Sequence, residues 1–449
     1  MSRSTRQRRS SAVRKPTSRR SGPKAARLLR AAGLLESELA DTCDAAWLRR
    51  FRRALSTWYT KHARPLPWRK TRDPYHIWIS EIMLQQTTVV AVVPYFERFL
   101  ARYPTLADLA AADEDDVLRL WEGLGYYSRA RNLHRAAQRV VAELGGNLPN
   151  DVGELAKLPG IGRYTAGAIA SFAFDRRAPI VEANTLRLYC RLLGFRGDPR
   201  TAAGQRLLWS FAEHILPPCS PVAPRQASRT SLSHPRKQDH SKVAGVSAFL
   251  SRSDRATSPG QFNQALMELG ATVCSPTEPD CPNCPVQRCC GAFAEGSQHK
   301  IPQPPRRPLI TDVTEIAAVV WRNGRCLLRR RPPGERWAGL WDFPRFEFAG
   351  NGSDASSPAA PSSRAARLWL QKTILSDLNL DVIVRDEVAT LKHSVTRYRI
   401  TLRCFHAEHR QGSATDNGTE FRWTTPEDLG EFALSTTGRK LASLLTSSP

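Results

Sequence analysis

The sequence predicts a multi-domain protein in which an all-α domain is followed by an α+β domain. Apolar residues recur at helical spacing through residues 41–295, except in a Ser-, Pro- and Arg-rich stretch at 217–259 that we expect to be a disordered insert. A Pro-rich linker follows at residues 296–311. From residue 312 onward, β-branched runs separated by turns such as Asn323-Gly324 indicate strands joined by hairpins.

Charge and composition indicate a protein that binds a polyanion. The 449 residues carry a formal net charge of +24 and are 41% hydrophobic. Residues 1–30 contribute +11 and residues 220–257 contribute +5, which leaves +8 for the rest. No apolar run is long enough to span a membrane. The ten cysteines are clustered rather than spread as a disulfide framework, so we expect a reducing compartment.

Residues 1–40 are predicted to form a disordered basic tail that adds non-specific affinity for the polyanion. The tail is rich in Arg and Ser and poor in acids, which leaves a transit peptide as the alternative.

A glycine turn at residues 158–162 precedes an Ala-rich helix predicted over residues 163–174. Backbone N–H groups of such a turn and helix start can hold a phosphate. By itself, a turn containing Gly160 and Gly162 is more often a connector. Its weight rises because Glu182 follows in an otherwise apolar run.

This stretch resembles the helix-hairpin-helix motif and following acidic residue of the endonuclease III superfamily of DNA repair glycosylases. The resemblance implies a flipped base in duplex DNA and a hairpin, with Gly160 and Gly162, that binds one phosphate. The family usually has Asp-Gly where this chain has Glu182-Ala183. The resemblance implies that Glu182 stabilises a sugar cation and that Asn184 orients the Glu182 carboxylate. The alternative is that Glu182 only begins a helix.

A second carboxylate lies on a helix predicted to start where Asp73 precedes Pro74. Glu81 has apolar neighbours on both sides, which would raise its pKa toward the range of a general acid. A typical helical Glu would instead face solvent or pair with Arg. Residues 79–87 are similar to the superfamily's catalytic motif, which implies that Glu81 is the proton donor and that Gln85 and Gln86 face the DNA.

Further base-pocket and DNA contacts rest on the same resemblance. The Pro-stiffened segment at residues 64–69 is similar to one that lines the base pocket in adenine-specific glycosylases. Its alternative is a plain connector. A glycine turn at residues 123–126, followed by arginines, suits either a packed helix–helix turn or a wedge in the base stack with phosphate contacts behind it. The residues assigned to these contacts are Leu66, Trp68, Arg69, Leu84 and Gln264 in the pocket and Tyr126 as the wedge.

The hairpin also predicts the number of chemical steps. Relatives that cut the strand carry a Lys after G-x-G-R, which forms a Schiff base with the sugar. This chain has Tyr164 at that position, and a phenol cannot form an imine. The prediction is a monofunctional hydrolase without a lyase step.

Four cysteines fall within a short segment, with spacings of six, two and five residues, at Cys274, Cys281, Cys284 and Cys290. The number of thiols permits zinc or an iron–sulfur cluster. The spacing resembles the superfamily's 4Fe–4S loop, which implies that cofactor. Cys289 is left as a neighbour of the ligands.

The second domain, predicted over residues 312–449, resembles the Nudix-like C-terminal domain of adenine glycosylases. In those relatives a Phe-Ser-His loop reads the damaged guanine, and the matching positions here include Thr396 and Arg397. Residues 351–380 lack the glutamate cluster that a Nudix hydrolase needs, so we do not expect pyrophosphohydrolase activity.

The resemblance covers about residues 45–216 and 259–445 and is to MutY-type adenine DNA glycosylases. It implies removal of adenine opposite 8-oxoguanine or guanine in double-stranded DNA. The alternatives are a glycosylase for another base, such as thymine opposite guanine, and a non-catalytic protein that binds lesions. We expect a monomer without a membrane anchor. It would be cytoplasmic and nucleoid-associated in a bacterium, or nuclear or mitochondrial in a eukaryote.

Overall fold

The computed structural model describes residue 39 and residues 43–218, 257–304, 309–348, 361–415 and 419–446. The predicted basic tail, apart from Leu39, lies outside these residues. So do most of the predicted insert and part of the linker. Within the described ranges, no helix combines the length and apolar composition that a membrane span requires.

The first domain is all-α, and the predicted fold class is confirmed. Its helices are α1 (Ala45–His62), α2 (Pro74–Leu84), α3 (Val89–Arg102), α4 (Leu106–Ala111), α5 (Glu114–Leu120), α6 (Ser128–Leu144), α7 (Val152–Leu155), α8 (Arg163–Phe174), α9 (Ala183–Leu193), α10 (Ala202–Ile215), α11 (Pro259–Thr272) and α12 (Gly291–Ala294). Helix α2 begins as predicted, because the Asp73 carboxylate accepts from the Tyr75 backbone N–H at 2.8 Å and Pro74 is the first helical residue.

Gly270 lies inside helix α11, which continues to Thr272. The glycine allows close packing, because a Cβ at Gly270 would lie 2.9 Å from the Cβ of Asn184 on α9. The residue therefore brings α11 against the start of α9.

The helical domain has two apolar cores. The first is built around Trp78, Phe99 and Trp121, and the second around Phe51 and Phe262. Helix α8 packs against both α2 and α11. Because α2 belongs to the first core and α11 to the second, the cleft between these helices runs along the boundary of the two cores.

The second domain is α+β, as predicted. Its elements are β1 (Thr311–Arg322), β2 (Arg325–Arg330), β3 (Trp341–Asp342), β4 (Arg345–Glu347), α13 (Ser363–Leu378), β5 (Leu380–Val395), β6 (Tyr398–Gly412), β7 (Phe421–Thr424) and α14 (Thr436–Thr446). The sheet order is β3-β2-β1-β6-β5, with β4 paired to β1 and β7 to β2. Only β1 and β6 run parallel among the described pairs. Helices α13 and α14 contribute to two different cores of this domain.

The last two long strands form a hairpin that extends the sheet. Val395 of β5 pairs with Tyr398 of β6, so the hairpin turns through the two residues Thr396 and Arg397. Thr396 has a φ of 54°, a left-handed conformation that two-residue hairpin turns require. Both side chains at this tip are exposed.

Candidate active site

A cleft of about 710 Å³ opens between α2, α8, α9 and α11. It brings together residues that are far apart in sequence and that were assigned to the catalytic centre, the base pocket and the hairpin. The predicted site residues that line it are Leu66, Trp68, Arg69, Glu81, Leu84, Gln85, Gln86, Gly160, Gly162, Tyr164, Glu182, Asn184 and Gln264. Tyr126, Thr396 and Arg397 are not among the lining residues.

Glu81 lies on the inward face of α2 and is only 4% exposed. The Tyr164 hydroxyl donates to its Oε2 at 2.7 Å. Burial raises the pKa of Glu81 from 4.5 to about 7; the Tyr164 hydrogen bond opposes this rise, and the nearby Glu182 charge adds to it. At neutral pH this carboxyl can therefore give up or take a proton, as a general acid must.

Glu182 caps the N-terminus of α9 and also lines the cleft. Its Oε1 accepts from the Thr185 backbone N–H at 2.8 Å, and its Oε2 accepts from the Asn184 backbone N–H at 2.9 Å. The Asn184 side-chain amide donates to Oε2 at 3.3 Å. Burial raises the pKa of Glu182, and these hydrogen bonds oppose the rise. The Glu182 carboxylate thus caps α9 and also faces the cleft, and the capping hydrogen bonds fix its orientation.

The glycine turn before α8 depends on Gly160. It has a φ of 76°, and a Cβ there would lie 2.7 Å from the Cβ of Asn132. Gly162 is the N-cap of α8 and has open space where a Cβ would stand. The start of α8 therefore faces the cleft without a side chain in front of it, which suits approach by an anion.

The opposite wall of the cleft carries Gln264 and the segment around Trp68. The Tyr59 hydroxyl donates to the Gln264 Oε1 at 3.1 Å, which orients the amide. Trp68 is buried and packs edge-on against Phe96. The Gln85 amide donates to the Thr165 hydroxyl at 3.3 Å.

Arg69 is held by a carboxylate that the sequence interpretation did not single out. Its Nη2 lies 2.7 Å from the Glu268 Oε2, and the Arg64 Nε lies 2.7 Å from the Oε1. Burial alone would raise the pKa of Glu268, but the two guanidinium groups outweigh burial and lower it. Arg69 therefore lines the cleft with its guanidinium held by the Glu268 carboxylate, which Arg64 also contacts.

Tyr126 is 49% exposed at the end of the turn at residues 123–126, with a φ of 47°. The first arginine after this turn points into the protein rather than toward solvent. Arg129 is buried, and its guanidinium donates to the carbonyl oxygens of Ile82 and Gln85 at 2.7 and 2.6 Å. The carbonyls that end α2 attract it inward.

The cysteine segment forms a compact cluster next to α9. Cys274, Cys281, Cys284 and Cys290 line one small cavity, and Cys289 is not among its lining residues. The Arg191 Nη1 donates to the Cys274 Sγ at 3.3 Å. Among the described residues, no group of three or more His, Cys, Asp and Glu side chains is arranged to hold a single metal ion.

The chain matches the HhH-GPD superfamily of base excision DNA repair proteins over residues 79–214 and the NUDIX domain over residues 316–444. It is 31% identical to the adenine DNA glycosylase of Mus musculus over 458 residues, which covers 89% of this chain and 78% of the mouse protein. Identity to the adenine DNA glycosylase of Rattus norvegicus is 38% over 454 residues, with 89% and 78% covered. The chain belongs to the adenine DNA glycosylases.

Among solved structures, a thermostable thymine-DNA glycosylase is 26% identical to the chain, with a TM-score of 0.44. The match covers 56% of this chain and 100% of that one.

In this adenine DNA glycosylase, the structural roles of Glu268 and Arg129 were not predicted from the sequence. Glu268 follows Gln264 by one helical turn, so it faces the same side of α11, and this spacing was the available signal. Nothing local indicated that its partners would be Arg64 and Arg69. Arg129 was recognised only as a basic residue behind a turn, and its inward direction depends on where α2 ends.

Proposed function

We propose that this chain hydrolyses the N-glycosidic bond of adenine that is mispaired with 8-oxoguanine or guanine in double-stranded DNA. The observation that carries the proposal is that two carboxylates face one cleft: Glu81, which is buried, and Glu182, which is partly buried. The pKa of Glu81 is raised to about 7, and the Tyr164 hydroxyl donates to its carboxyl. Such a pair suits acid-catalysed departure of a base from a sugar.

The reaction begins with adenine flipped out of the helix into the cleft. Protonated Glu81 donates its proton to a ring nitrogen of the leaving adenine, while Tyr164 holds the carboxyl in position. The C–N bond breaks, the electron pair leaves with adenine, and positive charge develops on the sugar. Ionised Glu182 stabilises that charge. Water then adds to the sugar and gives a proton to the Glu81 carboxylate, which leaves an abasic site and protonated Glu81.

A single hydrolytic step follows from the absence of an amine. A strand-cutting relative needs a lysine that forms an imine with the sugar. No lysine is among the described residues that line the cleft, and Tyr164 occupies the hairpin position. The strand therefore stays intact after adenine leaves.

Contacts with the rest of the DNA complete the proposal. The hairpin with Gly160 and Gly162 binds one phosphate through backbone N–H groups. Tyr126 enters the base stack at the site of the flipped adenine, and Thr396 and Arg397 contact the opposite base from the hairpin tip. The net charge of +24 supports binding to DNA. The protein acts as a monomer in this proposal.

We assign the cysteine cluster to a 4Fe–4S group. In such a group each cysteine binds a different iron, so the four sulfurs surround a volume rather than converge on one point. Four thiols that line one cavity, with Arg191 donating to one sulfur, fit this arrangement. The group would supply structural rigidity to residues 274–290 and no chemistry at the cleft.

The cofactor is tested with matched cysteine variants. Anaerobically purified protein should contain four irons and absorb broadly in the visible range. Cys281→Ser should lose iron, whereas Cys289→Ser, one residue from a ligand, should keep it. Zinc in place of iron would contradict the assignment.

The reaction is tested with a panel of duplexes. Adenine opposite 8-oxoguanine and opposite guanine should be excised, and thymine opposite guanine should not. Strand breaks should appear only after alkali, and borohydride should trap no covalent complex. Release of thymine would favour a mismatch glycosylase for another base, and binding without excision would favour a non-catalytic lesion-binding protein.

A further inference from the structure

The C-terminal domain is docked on one small part of the helical domain, the segment that carries Tyr126. This segment comprises residues 114–131, which contain α5, the turn at residues 123–126 and the start of α6. The loop between β2 and β3 supplies Leu340, which is fully buried in the first core of the helical domain together with Ala433. Trp337 of the same loop packs against this core.

Two acidic residues of the Tyr126 segment pair with arginines of the C-terminal domain. The Glu122 carboxylate accepts from the Arg439 Nε at 2.7 Å and from its Nη2 at 2.8 Å. These side chains are 17% and 30% exposed. Arg439 is fixed in turn, because it also donates to the carbonyl of Phe432 at 2.7 Å. A two-pronged pair of this kind sets orientation as well as distance.

The second pair joins Asp115 on α5 to Arg330 on β2. The Asp115 Oδ1 accepts from the Arg330 Nη2 at 2.6 Å, and its Oδ2 accepts from the Trp341 indole N–H at 3.3 Å. On the far side of the turn, the Arg131 guanidinium donates to the Ala338 carbonyl. The C-terminal domain thus contacts both helices that flank the turn.

The turn is also tied to the catalytic helix. The Arg129 Nη2 donates to the carbonyls of Leu124 and Gly125 at 3.1 Å each. Its Nη1 donates to the carbonyls of Ile82 and Met83 at 2.7 and 3.0 Å. One buried guanidinium therefore joins the Tyr126 turn to the end of α2, next to Glu81. Burial lowers the pKa of Arg129 to about 10, so it stays charged at neutral pH.

We infer that the Glu122–Arg439 and Asp115–Arg330 pairs are positioning contacts that couple lesion reading by the C-terminal domain to the Tyr126 wedge and, through Arg129, to the helix that bears Glu81. The inference rests on the proposed function. Without the pairs, the hairpin tip and the wedge turn could shift independently, so contact with 8-oxoguanine would no longer fix the wedge. The preference for 8-oxoguanine over guanine opposite adenine therefore depends on residues that touch neither base.

The test is a double-mutant cycle on the full chain. Single-turnover excision is measured for adenine opposite 8-oxoguanine and opposite guanine in the wild type, Glu122→Gln, Arg439→Gln and the double variant. The measured quantity is the ratio of the two rates. Each single variant should lower this ratio roughly tenfold, and the double variant should lose no more than either single one. Fluorescence of 2-aminopurine next to the lesion should show reduced wedge insertion in the same variants.

The matched control is the Arg385–Glu408 pair, which joins β5 to β6 and does not bridge the domains. Arg385→Gln and Glu408→Gln should keep the wild-type ratio. If Glu122→Gln does not fold, the cycle is built instead on the second pair, with Asp115→Asn and Arg330→Gln. An unchanged ratio in the Glu122 and Arg439 variants, or losses that multiply in the double variant, would overturn the coupling. A wild type that excises adenine from neither duplex would instead overturn the proposed function.

Discussion

Two carboxylates in different domains are equally buried and have opposite pKa shifts. Glu81 in the helical cleft is 4% exposed, and Glu315 on β1 is 3% exposed. Burial raises the pKa of Glu81 to about 7. Burial alone would also raise the pKa of Glu315, but Arg345 and Arg336 outweigh burial and lower it.

The difference lies in the partners that the fold supplies. Glu315 accepts from the Arg345 Nε at 2.8 Å and from the Arg336 Nη2 at 2.7 Å, so its ionised form is stabilised. Glu81 has one neutral hydroxyl as its donor. Burial therefore does not identify a general acid; burial without a paired cation does. Glu268 shows that both kinds occur within one cleft, since its two arginines lower its pKa.

Glu81→Gln should reduce the single-turnover rate by about 10²–10⁴-fold, because the amide has no proton to donate. It should also stabilise the fold at pH 8. The raised pKa means that the carboxyl's contribution to stability is fully present below pH 4.5 and is lost as the pH rises through about 7.

The size of this stability effect follows from the shift. Relative to Glu81→Gln, the wild type should lose up to about 3 kcal/mol of unfolding free energy between pH 4 and pH 8. Urea denaturation of both proteins at the two pH values measures it. If the difference in unfolding free energy between the wild type and Glu81→Gln does not change with pH, burial does not raise the pKa of Glu81.

Glu182→Gln should reduce the rate by about 10²–10³-fold, because one electrostatic contact with the sugar cation is lost. The amide oxygen can still accept from Asn184 or Thr185, so DNA binding should be normal. Glu182→Asp should remain active because it retains the charge. Rapid-quench excision on a duplex with adenine opposite 8-oxoguanine measures both variants. A near-normal rate for Glu182→Gln would leave the sugar cation without a stabilising carboxylate.

Glu315→Gln should leave the excision rate of adenine opposite guanine unchanged and destabilise the protein. Removing the Glu315 charge leaves Arg345, whose side chain is 1% exposed, with Asp342 as a carboxylate partner but without Glu315. Breaking a buried pair costs up to about 3–5 kcal/mol. The lowered pKa gives the opposite sign to that of Glu81: this stability is present above about pH 4.5 and is lost as the pH falls through the folded-state value. Thermal unfolding at pH 7 compares the variant with the wild type.

Local patterns predicted much of the fold and part of the site. The helix over residues 163–174 was predicted with the bounds that α8 has, because a glycine turn begins it and its composition is strongly helical. The apolar neighbours of Glu81 likewise predicted a raised pKa. Both features depend on residues within a few positions of each other.

The features that could not be predicted depend on distant partners. Glu268 lies 204 positions from Arg64 along the chain, and Glu122 lies 317 positions from Arg439. Hydrophobic periodicity in the sequence shows whether a side chain faces the core or the solvent, but it does not show which helix that side chain contacts. Arg129 illustrates the consequence, because a basic residue behind an exposed turn is expected in solvent until the end of α2 is placed beside it.

The most direct measurement of the central claim is the pH dependence of single-turnover excision in the wild type and in Tyr164→Phe. Glu81 must be protonated to donate, so the wild-type rate should fall as the pH rises through about 7. The Tyr164 hydrogen bond lowers the pKa of Glu81, so its removal should move this descending limb to higher pH. A rate that stays constant from pH 6 to pH 8.5, or a limb that Tyr164→Phe leaves in place, would contradict the assignment of Glu81 as the proton donor.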